Sequence, residues 1–162
     1  MNNNIETAEV LIDKYENSNK EVVDSIKKLL ADLHLQYHNL RNFHWHVTGP
    51  NFYILHEKFE ELYTDIAAKV DETAERILAL GSKPGAGING YVQTSDIADG
   101  YAISAADDMV LKIVAGNEIL IADVNKILKV ASANTDEGTI DTFTSYVTEL
   151  QKTNWMLKAF LG

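Results

Sequence analysis

The sequence predicts an all-α protein: a bundle of four long helices with one long crossover connection. Three observations predict it. Apolar residues recur at helical spacing along four stretches of roughly 22 to 30 residues each. Stop signals separate these stretches: Gly49-Pro50, Gly81 and the run NTDEG at residues 134–138. Between the second and third stretches lies GSKPGAGINGYVQTSDIADG (residues 81–100), a loop-rich connection too long for a hairpin between neighbouring helices.

Residues 1–18 are polar, with four acids against one lysine. They are read as an N-terminal segment, disordered in part, with a short helix over residues 6–15. Ser18 or Asn19 is placed to cap the first long helix, with Glu21 in its first turn. Its apolar stripe is Ile26, Leu29, Leu30, Leu33, Tyr37 and Leu40, within about 60° of one another on a helical wheel. The helix runs to about Val47, where Gly49-Pro50 ends it.

Asn51 is placed to cap the second helix, which runs to about Leu80 on a stripe of Phe59, Tyr63, Ile66, Ala67, Val70, Ala74, Ile77 and Leu78. The crossover has room for one short helix around residues 88–93. Ser104 opens the third long helix with Asp107 at the capping-box position, and the apolar pattern carries it to about Ala133. Gly116 inside it costs about 1 kcal/mol relative to alanine, and nothing in the sequence explains it. The fourth helix is expected from about Thr139 to Phe160, with Phe143, Val147, Leu150, Met156 and Leu157 for packing. Residues 1–162 then form a single domain. Four long helices with a crossover between the second and third are the ferritin-like topology. Helix lengths and loops alone also allow a cytokine-like or structural bundle.

Composition narrows the function. Apolar residues make up 46% of the chain, which argues against disorder. There is no cysteine, so disulfides, thiolate metal sites and thiol nucleophiles are excluded. No signal region opens the chain and no apolar run of about 20 residues occurs, so a soluble, cytoplasmic protein without membrane attachment is expected. The net charge of −10 repels phosphate backbones and favours cations as partners.

One stretch carries ligand chemistry. Residues 44–75, HWHVTGPNFYILHEKFEELYTDIAAKVDETAE, hold three of the five histidines and a ladder of carboxylates. With His56 at 0°, Glu60, Asp71 and Glu75 fall near about 40°, 60° and 100° on the second helix. Charged groups beside a buried stripe are costly unless paired or metal-bound. His44 lands on the apolar stripe of the first helix. His34, His38 and His46 fall on its flanks and are left there.

From His56 to Asp71 is about 22 Å along a helix, too far for one ion held at about 2 Å by each ligand. The pairs His56/Glu60 and Asp71/Glu75 therefore act separately, or the second pair of one molecule meets the first pair of another. A two-fold axis would produce two such sites per dimer. The donors suit iron, manganese or zinc alike. Bundle-core di-iron centres use Glu-x-x-His, and the residues three before the histidines are Ala31, Leu35, Arg41, Phe43 and Tyr53. A site inside the bundle is not expected.

NFHW, GPNF, LHEKFEELY and VDETAERILALG, in that order and spacing, resemble the Dps mini-ferritins. The resemblance implies that His44, His56, Glu60, Asp71 and Glu75 are the iron ligands. The first three would come from one subunit and the last two from its two-fold neighbour. Glu60 stands where many members carry aspartate. It further implies a twelve-subunit shell of tetrahedral symmetry, a homododecamer. Such a shell oxidises Fe(II) to Fe(III) with hydrogen peroxide or oxygen and stores the mineral inside, which makes the chain a ferroxidase. Trp45 is implied as a radical trap, with an aromatic interface role as the alternative. Counting back from the family-like ending WMLKAFLG places Glu137 and Asp141 at iron-entry channel positions, and Ser132 where the family has a further acid. Acids at these helix N-terminal positions also suit the helix dipole.

The competing function is a DNA-compacting stress protein with little ferroxidase activity. Some Dps proteins bind DNA through a lysine-rich N-terminal arm, and residues 1–18 are acidic instead. Binding DNA through the tails is not expected.

Overall fold

The first long helix starts earlier than its polar lead-in suggests. The computed structural model describes the backbone of residues 8–85 and 87–162 and, from residue 19 onward, their side chains. Within these residues the elements are α1 (Ala8–His46), α2 (Phe52–Ala79), α3 (Ile88–Thr94), α4 (Ala106–Ala133) and α5 (Glu137–Leu161), with no strand. A cap at Ser18 or Asn19 is not found, because α1 runs unbroken through both. The polar residues that follow, Lys20 and Glu21, are themselves good helix formers and give the chain no reason to stop. The expected short helix over residues 6–15 is the start of α1 as far as it is described, and residues 1–7 lie outside the described residues.

The α1 stripe is the centre of the core. Ile26, Leu29, Leu30, Leu33 and Leu40 are buried there with Phe59 and Ile77 of α2, Ile113, Leu120 and Ile127 of α4, and Phe143 of α5. Burying each such side chain is worth about 1.5–3 kcal/mol. α1 packs on α2, on α4 and on the crossover helix α3, and α4 packs on α5. Leu78 and Met156, placed on packing faces by periodicity, are instead exposed.

Gly49 ends α1 in the left-handed region (φ 98°), and Asn51 occupies the N-cap position of α2 without a side-chain cap bond. Ser104 does not open α4. Ile103 N–H closes a turn on Gly100 O at 3.0 Å, which leaves Ser104 ahead of the helix and Ala105 at the cap, again without a side-chain bond. Asp107 and Asp108 still sit in the first turn, where negative charge suits the helix dipole. α5 opens two residues earlier than expected because Asp136 is its cap, Oδ1 accepting from Thr139 N–H at 3.1 Å.

Polar links fix how the helices sit. Gln36 of α1 lies across Gly116 of α4, where a Cβ would stand 2.1 Å from its Oε1. Gln36 Nε2 donates to Ile113 O at 3.0 Å and Asn117 Oδ1 at 2.8 Å. Asn117 Nδ2 donates to Asn154 Oδ1 of α5 at 2.9 Å. Gly116 is there to let this buried amide chain cross the bundle. On the other side, Arg76 of α2 donates to Asp136 (2.7 Å) and Thr139 (2.9 Å). Lys69, buried, bridges Asp65 and Glu149 at 2.8 and 2.7 Å. Both links tie α2 to α5.

Candidate metal centre

The end of α1 and the start of α2 are joined by a short turn, so His44 and His56 face each other across the corner. Their rings stack with centroids 3.8 Å apart and planes 20° from parallel. His44 Nδ1 lies 2.8 Å from His56 O, and His56 Nδ1 lies 2.8 Å from His44 O. A carbonyl can only accept, so both Nδ1 atoms carry hydrogen, and in a neutral ring so bonded the lone pair is on Nε2. This is the tautomer a metal-binding imidazole needs, and the backbone selects it.

Glu60 follows His56 by one helical turn. Ligand atoms from His44, His56 and Glu60 all lie within 4.8 Å of one another, the one such group among the described residues. His44 is buried, while His56 and Glu60 are progressively more open to solvent. Phe52 stacks on His56 at 5.0 Å, and Tyr63 sets its edge against His44 at 5.4 Å. These aromatic walls hold the imidazoles in place. Two nitrogens and one carboxylate on an open rim can bind a divalent cation and leave coordination positions for further ligands.

The other predicted ligands are not part of this group. Asp71 and Glu75 are exposed on α2, and the rise from His56 to Asp71 is about 22 Å. Trp45 is 58% exposed, its ring under the Arg41 guanidinium at 4.8 Å. Glu137 and Asp141 are exposed one turn apart at the start of α5, and Ser132 is exposed near the end of α4. The flank histidines face the crossover: His34 stacks on Tyr91 at 4.1 Å, His38 lies 3.8 Å from Asp99, and His46 approaches the Tyr101 ring.

Sequence reasoning missed the residues that brace α2. Tyr146 donates to Glu72 at 2.6 Å, and Lys69 lies over the Tyr146 ring at 4.9 Å. Burial, then Glu72, pushes the Tyr146 hydroxyl far above its usual range. The Asp65-to-Lys69 spacing of one turn was the only available signal. The long-range partner of Lys69, Glu149, lies 80 positions away.

Known proteins resemble the chain along nearly its whole length. The family model described as a ferritin-like domain matches residues 23–162. "DNA protection during starvation protein 2" of Bacillus anthracis is 43% identical over 144 residues, covering 89% of this chain and 99% of that one. "DNA protection during starvation protein" of Porphyromonas gingivalis is 37% identical over 139 residues, covering 86% and 87%. The crystal structure of the Dps protein from Vibrio cholerae O1, titled a member of a broad superfamily of ferritin-like diiron-carboxylate proteins, superposes with a TM-score of 0.88. It is 35% identical and covers 90% of this chain and 92% of that one. Dps from Bacillus brevis gives 0.87 at 35% identity, covering 90% and 98%. With the ferritin-like domain, the helix order and these relatives in agreement, the chain belongs to the Dps family.

Proposed function

We propose that this protein is an iron-storage ferroxidase. It takes up Fe(II), oxidises it at sites between subunits, and holds the ferric product inside a hollow shell of twelve copies. The observation that carries the reading is the His44–His56–Glu60 group, whose ligand atoms lie within 4.8 Å of one another while each imidazole is held by its Nδ1 on a backbone carbonyl. The solved relative described as a ferritin-like diiron-carboxylate protein supports iron as the substrate.

In this reading the three residues bind Fe(II) from one side, and Asp71 and Glu75 of a two-fold neighbour complete the site. Two observations favour a shared site. Among the described residues Asp71 and Glu75 are exposed and belong to no ligand group of three, and the exposed apolar side chains Trp45, Tyr53 and Ile54 lie within three residues of His44 or His56 in the chain. Clustered exposed apolar surface marks contact surfaces. Trp45 then serves as an interface residue, with radical trapping as its second role. Carboxylates stabilise Fe(III) more than Fe(II), since the attraction scales with ionic charge. With peroxide as oxidant, two Fe(II) ions give one electron each, the O–O bond breaks, and two protons complete two waters. Glu137 and Asp141 are proposed to line the iron entry path.

A DNA-compacting role is the second reading, favoured by the names of the relatives. The net charge of −10 opposes it, and a shift of DNA in a gel without added divalent metal would reverse the order. No helix among the described residues is long and apolar enough to cross a membrane, and a cytoplasmic location is part of the proposal. The test is anaerobic loading with Fe(II) followed by peroxide, reading ferric absorbance by stopped flow and particle mass by light scattering. Fast oxidation in a particle of twelve subunits is expected. A particle without oxidation above the protein-free rate refutes the enzyme reading.

A further inference from the structure

Away from the histidine pair, α1 and α4 bring two aspartates together under the crossover. Asp32 is fully buried. Its Oδ1 accepts from Ser95 Oγ at 2.6 Å and from the amides of Asp96 and Ile97 at 2.7 and 3.3 Å. Its Oδ2 accepts from Lys28. One carboxylate thus gathers the segment after α3 onto α1.

Asp123 of α4 comes to the same ammonium as Asp32, since Lys28 Nζ faces both carboxylates. Its side chain is 14% exposed, and its Oδ2 is buried with no hydrogen-bond partner. The nearest cation, Lys28 Nζ, stands 3.9 Å away and also serves Asp32 and, at 2.9 Å, Asp96. The charged groups facing Asp123 are therefore Lys28 and Asp32 from α1 and Asp96 from the crossover. Three carboxylates share one ammonium. Two facing carboxylates shielded from water repel when both are ionised, and one proton between them supplies the missing donor.

We propose that Asp32 and Asp123 share a single proton and form a pH-sensitive clasp that fastens α4 and the crossover to α1. The clasp is closed while the proton is held and loosens when it leaves. The titration directions agree. Burial, then the hydrogen bond and charge of Asp32, push Asp123 up to about 7. Burial works to raise Asp32 as well, but bonds from Asp123, Lys28 and Ser95 outweigh it and hold Asp32 below the usual carboxylate range. A folded value above the ordinary 3.8 means that the stabilisation is full at low pH and is lost as pH rises through about 7. If opening returns Asp123 to ordinary titration, the opening constant grows about tenfold between pH 6 and 8.

The test is amide hydrogen exchange of Ile97 and Gly100 in the assembled protein, corrected for intrinsic rates, for wild type and Asp123→Asn. The Ile97 and Gly100 amides donate to Asp32 and Asn39, so they report the grip of the crossover on α1. Asparagine keeps the shape of Asp123 and donates to Asp32 without titrating. Protection in wild type is expected to fall about tenfold from pH 6 to 8, and in the variant to stay within about twofold. An equal response in both proteins, or none in wild type, overturns the clasp. If the variant does not fold, infrared spectra of wild type with isotope-labelled aspartate decide. A protonated carboxyl band present at about pH 6 and lost by about pH 8 supports the clasp, and its absence at pH 6 overturns it.

Discussion

His44 and His56 hold each other through the backbone, each Nδ1 donating to the main-chain carbonyl of the other at 2.8 Å. The pair therefore fixes two tautomers with one turn of chain, and the cost of orienting the ligands is met in folding rather than in metal binding.

Replacing both histidines by alanine removes two of the three ligands that this chain brings together. Fast Fe(II) oxidation is expected to fall to the protein-free rate. Loss of two hydrogen bonds and a ring stack costs about 2–4 kcal/mol per subunit by ordinary magnitudes, so the particle is expected to stay assembled. Stopped-flow absorbance with light scattering on the same sample checks both, and unchanged oxidation rejects the site.

Gly116→Ala runs against helix propensity in an informative way. Alanine in a helix interior gains about 1 kcal/mol over glycine. Here the new methyl group would meet Gln36 Oε1 at 2.1 Å. The variant is expected to lose about 1–3 kcal/mol through overpacking and broken amide bonds, seen as a lower thermal midpoint. Adding Gln36→Ala is expected to recover part of the loss. A stabilised single variant would show that the buried amide chain does not need the glycine.

Glu137 and Asp141 point to a prediction about entry rather than chemistry. Neutralising both, as Glu137→Gln with Asp141→Asn, is expected to slow oxidation severalfold at low Fe(II) and to leave the saturating rate unchanged, because the local attraction for cations is weakened. An equal slowing at all concentrations would place them elsewhere in the mechanism.

Much of the architecture was legible in the sequence because periodicity and stop signals are local. The α1 stripe from Ile26 to Leu40, the Gly49 turn and the short helix at residues 88–94 all follow from neighbours in the chain. Start signals were less secure. Ser18, Asn19 and Ser104 have the right side chains for caps, yet cap geometry depends on the turn before the helix, as the Gly100–Ile103 turn decides at α4. Of the site, helical spacing pairs His56 with Glu60, and the family resemblance adds His44 to them. The role of Gly116, the Arg76–Asp136 link and the Asp32–Asp123 pair depend on contacts between residues 60 to 91 positions apart, which no local pattern records. The separation of Asp71 from His56 was legible, since helical rise is fixed.

The central claim is that the site is shared between subunits, and complementation tests it most directly. Two inactive proteins are prepared, His44→Ala/His56→Ala and Asp71→Ala/Glu75→Ala, and mixed particles are formed by co-expression. Across a two-fold axis, half the dimers are hybrids and each hybrid holds one intact site, so about a quarter of wild-type oxidation is expected to return. Mixed particles as inactive as their parents would contradict the shared site.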